Sequence, residues 1–278
     1  MAPVVGDLAA NRALILDAAD RSLRMGGDVI VLPELATSGY VLGSREEARS
    51  VAITRDDVLF VDLARALGGT DSVIVLGFAE HGTSGAVHNS VAAVTAQGVL
   101  AVYRKTHLWD RETLLFTPGD TAPPIVETVH GRVGVLVCYD LEFPEMPRSL
   151  ALAGADILAV PTNWPRGERP EGERAPEVTF AQAAARANGV FVACCDRRGL
   201  ERGQSWNEDT VIIDQYGWIR SAARGTQAPP GTEDPDAEHP HAVADVFPRL
   251  ARDKAISPHN DLLADRRPDI YSQENPRW

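Results

Sequence analysis

Six short apolar runs, each about one buried strand long, limit what this chain can fold into. They are "VIVL" at 29–32, "VIVLGF" at 73–78, "VLAVY" at 99–103, "VGVLV" at 133–137, "ILAV" at 157–160 and "VFVACC" at 190–195. Runs of this length and β-branched content read as strands buried within a sheet. Helical patterns stand between several of them. Asp7 is placed to cap a helix over 8–24, in which Leu8, Ala9, Leu16, Ala19 and Leu23 share a face, and Gly26-Gly27 ends it. Further helices fit 55–67, 144–153 and 174–188. Three stretches read instead as hairpins: 87–105 turning at Gln97-Gly98, 124–140 turning at His130-Gly131, and 209–224 turning at Tyr216-Gly217.

The stretches "PRGERPEGERAPE" (165–177) and "GTQAPPGTEDPDAEHP" (225–240) are charged and rich in Pro and Gly, hence surface loops. Strands continue on both sides of each, so neither divides two cores. One α/β domain over 1–278, a mixed sheet with helices outside, is the expectation, with 250–278 as a C-terminal extension. A chain of 278 residues buries enough apolar surface to need no disulfide or metal. The net charge of -12 argues against nucleic acid and anionic membranes as partners. The three cysteines, Cys138, Cys194 and Cys195, form neither a disulfide framework nor a metal-ligand spacing. No signal-peptide pattern and no apolar run of membrane-spanning length is visible. A reducing cytoplasm is the expected setting.

Polar residues end three of the runs. Glu34 follows "VIVLP", Lys105 follows "VLAVYR" and Cys138 follows "VGVLV". Sites in α/β folds gather at the C-terminal ends of strands. A thiol with an ordinary pKa of about 8.5 needs a base or a cation beside it to react at neutral pH. A desolvated Glu34 could take its proton, and Lys105 could stabilise an oxyanion. Each residue also has a plainer reading. Cys138 could be packing, Lys105 a solvated loop residue, and Glu34 a carboxylate with a structural partner. The acids after the thiol, Asp140, Glu142 and Glu145, must then point away from it or pair with arginines such as Arg148.

Taken together, "VLPELATSGY", "YRKTHLW" with "FTPGD", and "CYDLEFPE" resemble, in order, the segments of the nitrilase superfamily of carbon–nitrogen hydrolases. "GADILAVPTNWP" and "ARANGVFVACCDRRG" resemble the next two segments, so the likeness runs from about Val5 to about Tyr271. It implies a four-layer αββα sandwich, with two mixed β-sheets between outer helices, and a Glu–Lys–Cys catalytic set. Glu34 would be the general base, Lys105 the oxyanion stabiliser and Cys138 the nucleophile, with the Tyr139 N–H in the oxyanion hole. Glu112 matches a second glutamate that would orient Lys105 or the substrate nitrogen. The resemblance also implies no cofactor, and a homodimer or higher homo-oligomer. Tyr40, Trp109, Phe143 and Trp164 are candidate pocket walls.

Two departures bear on function. Members usually begin with a strand of the "VALAQ" type, whereas this chain has Met1 at that point. A misplaced start is the expectation, because losing a central strand leaves neighbouring backbone groups unpaired. Nitrilases proper follow the nucleophile with Trp-Glu, and here Tyr139-Asp140 follow. That resembles the amidase and carbamoylase branches. The expected reaction is hydrolysis of a small non-peptide amide through an acyl-thioester. The alternatives are N-carbamoyl amidohydrolase or nitrilase activity, a Cys/His protease using His107 or His130, and a binding protein that keeps the fold. An acid at Glu142 would repel a substrate carboxylate, which favours a neutral or cationic amide. Arg166 could counter this by holding a carboxylate from the "NWPRG" loop.

Overall fold

In the computed structural model, which describes residues 1–223 and 240–271, the apolar runs form two sheets packed face to face. Helix α1 (Leu8–Arg24) leads to β1 (Val29–Val31), and helices α2 (Arg45–Ser50) and α3 (Val58–Ala66) lead to β2 (Val73–His81), β3 (Val87–Thr95) and β4 (Gly98–Arg104). These four strands make one sheet in the order β1-β2-β3-β4, parallel at β1–β2 and antiparallel beyond. One turn of helix, α4 (Glu112–Leu115), precedes β5 (Ile125–Thr128) and β6 (Gly131–Val135). Helix and strand then alternate through α5 (Glu145–Leu152), β7 (Ile157–Pro161), α6 (Pro176–Asn188) and β8 (Phe191–Cys195). A small hairpin of β9 (Leu200–Glu201) and β10 (Gln204–Ser205) precedes β11 (Val211–Ile213) and β12 (Ile219–Ala222). The second sheet has the order β12-β11-β8-β7-β6-β5 and is parallel only at β6–β7 and β7–β8.

Alternation along β2 explains the layering. Val73 and Val75 face the second sheet and share a buried cluster with Val133 and Val135. Ile74, Leu76 and Phe78 point the other way, onto Ile15 and Ala19 of α1 and Leu59, Phe60 and Leu63 of α3. Each such side chain contributes about 1.5–3 kcal/mol by leaving water. Leu150 and Ala151 of α5 and Val178, Ala181 and Ala185 of α6 cover the second sheet. The result is the α-β-β-α order of layers.

Local chemistry sets the ends. The Asp7 carboxylate accepts from Ala10 N at 2.9 Å, as its position before the first apolar turn predicts. The helix expected over 55–67 is shorter, because Asp57 caps it by accepting from Leu59 N at 2.9 Å. The helix expected over 174–188 starts with Pro176 in its first turn, where a missing N–H costs nothing. In the first hairpin Thr95 pairs with Gly98, so Ala96-Gln97 make its turn; in the second Thr128 pairs with Gly131, so Val129-His130 do.

Among the described strands, β1 stands at the end of its sheet. The segment before α1 runs elsewhere: Gly6 N donates to Ser38 O, and Met1 O accepts from Arg198 N, both at 2.9 Å. The loop expected over 225–240 lies outside the described residues apart from its last position. Beyond it come α7 (Pro248–Arg252), β13 (Ala255–Ser257), β14 (Asn260–Asp261) and α8 (Pro268–Tyr271). Arg252 bonds Asp156 at 2.9 Å, and Lys254 Nζ donates to Asn188 O and Gly189 O at the C-terminal end of α6. Among the described residues no helix is long and apolar enough to cross a membrane.

Candidate active site

Glu34 lies three residues past β1, Lys105 one residue past β4 and Cys138 three residues past β6. The packed sheets bring these tips together. Glu34 and Lys105 are buried at 1% and 0% exposure, and Cys138 at 6%. Lys105 Nζ donates to Glu34 Oε1 at 2.7 Å and to the Glu112 carboxylate at 2.9 Å. Asn89 Nδ2, from β3, donates to Glu34 Oε1 at 2.7 Å. Asn163, after β7, joins the two other parts: its Nδ2 donates to Glu34 O at 2.8 Å, and its carbonyl lies 3.9 Å from Cys138 Sγ.

Backbone conformation adds to the placement. Cys138 has φ 45 and Leu35, next to Glu34, has φ 46. The left-handed region is unfavourable for side chains like these. At Cys138 it forms the sharp bend from β6 into a short 3-10 turn over Cys138–Glu142. The Glu34–Leu35 backbone passes so close to β2 that a Cβ on Gly77 would lie 2.5 Å from Glu34 Cα and from Leu35 N. Gly77→Ala is therefore expected to displace Glu34 and lower kcat by about 100-fold, since such losses follow shifts of about 1 Å. Steady-state kinetics check this, with a thermal melt to show that the protein still folds.

Electrostatics follow from burial. Burial pushes the Glu34 carboxyl up to about 7, with Lys105 opposing and Glu112 adding to the rise. Burial alone would lower the Lys105 ammonium, but the Glu112 and Glu34 carboxylates outweigh it and hold the group well above its usual range. The Cys138 thiol is pushed well up, first by burial and then by Glu34, against the pull of Lys105. The resting sulfur is thus held as a thiol, and the nearby Glu34 carboxyl, raised to about 7, is a candidate base for it. A base works when deprotonated, so kcat/KM is expected to rise with pH through about 7. Because Glu112 adds to the rise, Glu112→Gln is expected to move this acid limb to lower pH, which pH–rate profiles of both proteins would read.

Glu112 is held by four donors, one of them Asn89 Nδ2 at 3.4 Å. Besides Lys105, Tyr40 Oη donates to it at 2.6 Å and Trp109 N at 3.0 Å. Tyr40 itself packs edge-on against Trp206, and Glu201 accepts from Tyr40 N and Val41 N at 3.0 and 2.7 Å. A cavity of about 210 Å³ opens at Cys138, walled by Trp109, Tyr139, Glu142, Asn163, Trp164, Pro165, Pro176 and Glu177. Trp109, Trp164, Tyr139 and Glu142 thus face it. Tyr40 does not line it and stands behind Glu112. Phe143 does not line it either; it stacks on His107 at 3.7 Å and supports the edge of the Tyr139 ring at 4.9 Å.

The acids after the thiol have separate fates. Asp140 is fully buried and pairs with no arginine among the described residues. It accepts from Tyr103 Oη, Thr106 Oγ1 and His107 N, each at 3.0 Å, and so ties the Lys105 segment to the nucleophile turn. Arg148, suggested as a partner for these acids, donates instead to Ala187 O. Glu145 is exposed, and Glu142 faces the cavity. His107 is engaged by Asp140 at 2.8 Å, and His130 lies at the β5–β6 turn, 3.5 Å from Asp28. Neither is arranged as a base for Cys138. Of the adjacent cysteines, Cys194 faces the core. Among the described residues no cluster of three or more His, Cys, Asp or Glu could hold a metal ion.

Sequence reasoning missed Asn89, Asn163 and Glu177. Asn89 reads as one polar residue in a strand, and Glu177 as the end of a charged loop. Only the position of Asn163 beside Trp164 hinted at its place.

The family model for carbon-nitrogen hydrolase matches residues 1–228. The chain is 33% identical over 252 residues to a nitrilase from Pyrococcus abyssi, covering 89% of this chain and 87% of the relative. It is 34% identical to an (R)-stereoselective amidase from Pseudomonas sp, covering 77% and 75%. It superposes with a TM-score of 0.73 at 25% identity on an amidase variant from Nesterenkonia sp. AN1 that carries acrylamide added to its active-site cysteine, covering 97% and 95%. The fold and these similarities define a hydrolase of carbon–nitrogen bonds. The chain belongs to the carbon–nitrogen hydrolase family, within the nitrilase superfamily.

Proposed function

We propose that the protein hydrolyses a small non-peptide amide to a carboxylic acid and ammonia through an acyl-thioester on Cys138. The observation that carries this reading is Lys105 Nζ, 2.7 Å from Glu34 and 2.9 Å from Glu112, in a buried cluster beside the thiol. Glu34 takes the proton as Cys138 Sγ attacks the amide carbon. Lys105 and the Tyr139 N–H, in the first turn of the Cys138–Glu142 segment where N–H groups have no intrahelical partner, receive the developing oxyanion. Glu34 then returns its proton to the nitrogen, the C–N bond breaks and ammonia leaves. Water attacks the thioester carbon as Glu34 accepts one of its protons. The S–C bond breaks, the sulfur regains that proton, and the acid departs.

Glu34 Oε2 supports this role: it is buried and has no hydrogen-bond partner among the described residues, so a lone pair is free to receive a proton. Asn89 and Lys105 occupy the other oxygen. The test is ammonia release from a panel of small amides, ω-amides, N-carbamoyl compounds and nitriles, combined with intact-protein mass spectrometry after rapid quenching. The reading expects amide turnover with an acyl mass on Cys138. It also expects Glu34→Gln to lose the rate. Turnover of nitriles or N-carbamoyl compounds alone would replace it, and a near-normal rate in Glu34→Gln would remove Glu34 as the base.

A further inference from the structure

The cavity at Cys138 has a marked imbalance of charge. Its lining carries two carboxylates, Glu142 from the turn that starts at Cys138 and Glu177 from the first turn of α6. No lysine or arginine among the described residues lines it. Arg169, the cation that bears on Glu177, is committed to Asp209 at 3.3 Å. Arg166, which could have held a substrate carboxylate, is exposed and is not part of the lining. Lys105 lies deeper, bonded to Glu34 and Glu112. The remaining lining is Cys138, Asn163, Pro165, Pro176 and the side chains of Trp109, Tyr139 and Trp164.

Resting on the amide-hydrolase reading, we infer that the pocket selects substrates whose non-reacting end carries a protonated amine, held by Glu142 and Glu177 against the aromatic walls. Two like charges brought together in a half-buried space repel each other, and a cation between them removes that cost. Ring faces add attraction for an ammonium and none for a carboxylate. Burial first and then Glu177 push the Glu142 carboxyl up to about 6, while Lys105 opposes. Burial also raises Glu177, with Asp209 adding and Arg169 opposing. Glu177 accepts from the neutral Asn207 amide at 3.4 Å, and no lysine or arginine among the described residues makes an ion pair with either acid.

The experiment compares kcat/KM for 5-aminopentanamide and hexanamide, which differ by an ammonium in place of a methyl. The expected preference at neutral pH is at least about tenfold for the ammonium substrate. The ratio should climb from about pH 5 to 7 as Glu142, raised to about 6, becomes charged. Glu34, Glu112 and His107 act on both substrates alike, so their contribution cancels in the ratio. In Glu142→Gln/Glu177→Gln the ratio should fall toward one. A wild-type ratio of one, or a preference for hexanamide, overturns the inference while leaving amide hydrolysis intact. A second arm needs no turnover: stabilisation of the Cys138→Ser protein by butylammonium against butanol in thermal melts. Selective stabilisation by butylammonium without any amide turnover would keep the cation site and remove the amide reading. Equal effects of the two compounds would overturn the cation site.

Discussion

Cys138→Ala is expected to lower kcat/KM for an amide substrate by at least about 10⁴ and to leave no acyl adduct by mass spectrometry. The thiol is 6% exposed at the mouth of the cavity, and the alternative base candidates His107 and His130 are engaged elsewhere. Alanine removes the sulfur while keeping the Cβ and the backbone conformation at φ 45. Stability should therefore change by only about 1 kcal/mol, in the range of a small surface or packing substitution. A purely packing cysteine would give the same melt and unchanged ammonia release, so the two measurements together separate the readings.

Lys105→Met is expected to fail in two ways at once. The oxyanion loses its ammonium, a loss of about 10²–10³ in kcat for one such donor. The fold loses the cation between two carboxylates, and removing one member of a buried ion cluster costs about 3–5 kcal/mol. The sign of the pH effect follows from Glu34. Its carboxyl is raised above its unfolded value even with Lys105 present, so the native state holds a proton that the unfolded chain releases. Its share of stability is complete below the unfolded pKa of about 4.5 and is lost as pH rises through about 7. Without Lys105 that window extends higher. Chemical denaturation should thus find the variant closest to the parent near pH 5 and furthest from it near pH 8. Equal destabilisation at both values would mean that Lys105 does not offset the carboxylates.

Much of this fold was legible in the order of residues because the signals were local. The cap at Asp7, the fully apolar run of β2 and the tight hairpin turns each act within a few positions. Two helix starts moved by two or three residues: Asp57 caps α3 at its first N–H groups, and Pro176 sits in the first turn of α6. The gathering of Glu34, Lys105 and Cys138 was legible for a similar reason: each is polar at the end of an apolar strand. Tyr40 and Phe143 were harder to place, because an aromatic side chain reads alike whether it lines a pocket or supports one. Their partners, Glu112 with Trp206 and His107 with Tyr139, come from distant segments.

The chain's pattern of apolar runs and breakers was enough to specify strands, helices and the layers they must form, since burying both faces of a sheet requires cover on each side. It also specified which polar groups end those strands. What the pattern left open was distance. Lys105 comes within 2.7 Å of Glu34, 71 positions away, and Asn163 reaches Glu34 across 129 positions. The first contact joins the tips of β1 and β4 within one sheet and the second crosses from one sheet to the other, so both depend on how the strands order and pack together. The same packing gives Glu34 its raised pKa and couples Glu142 to Glu177, because desolvation and charge coupling depend on what surrounds a group in space.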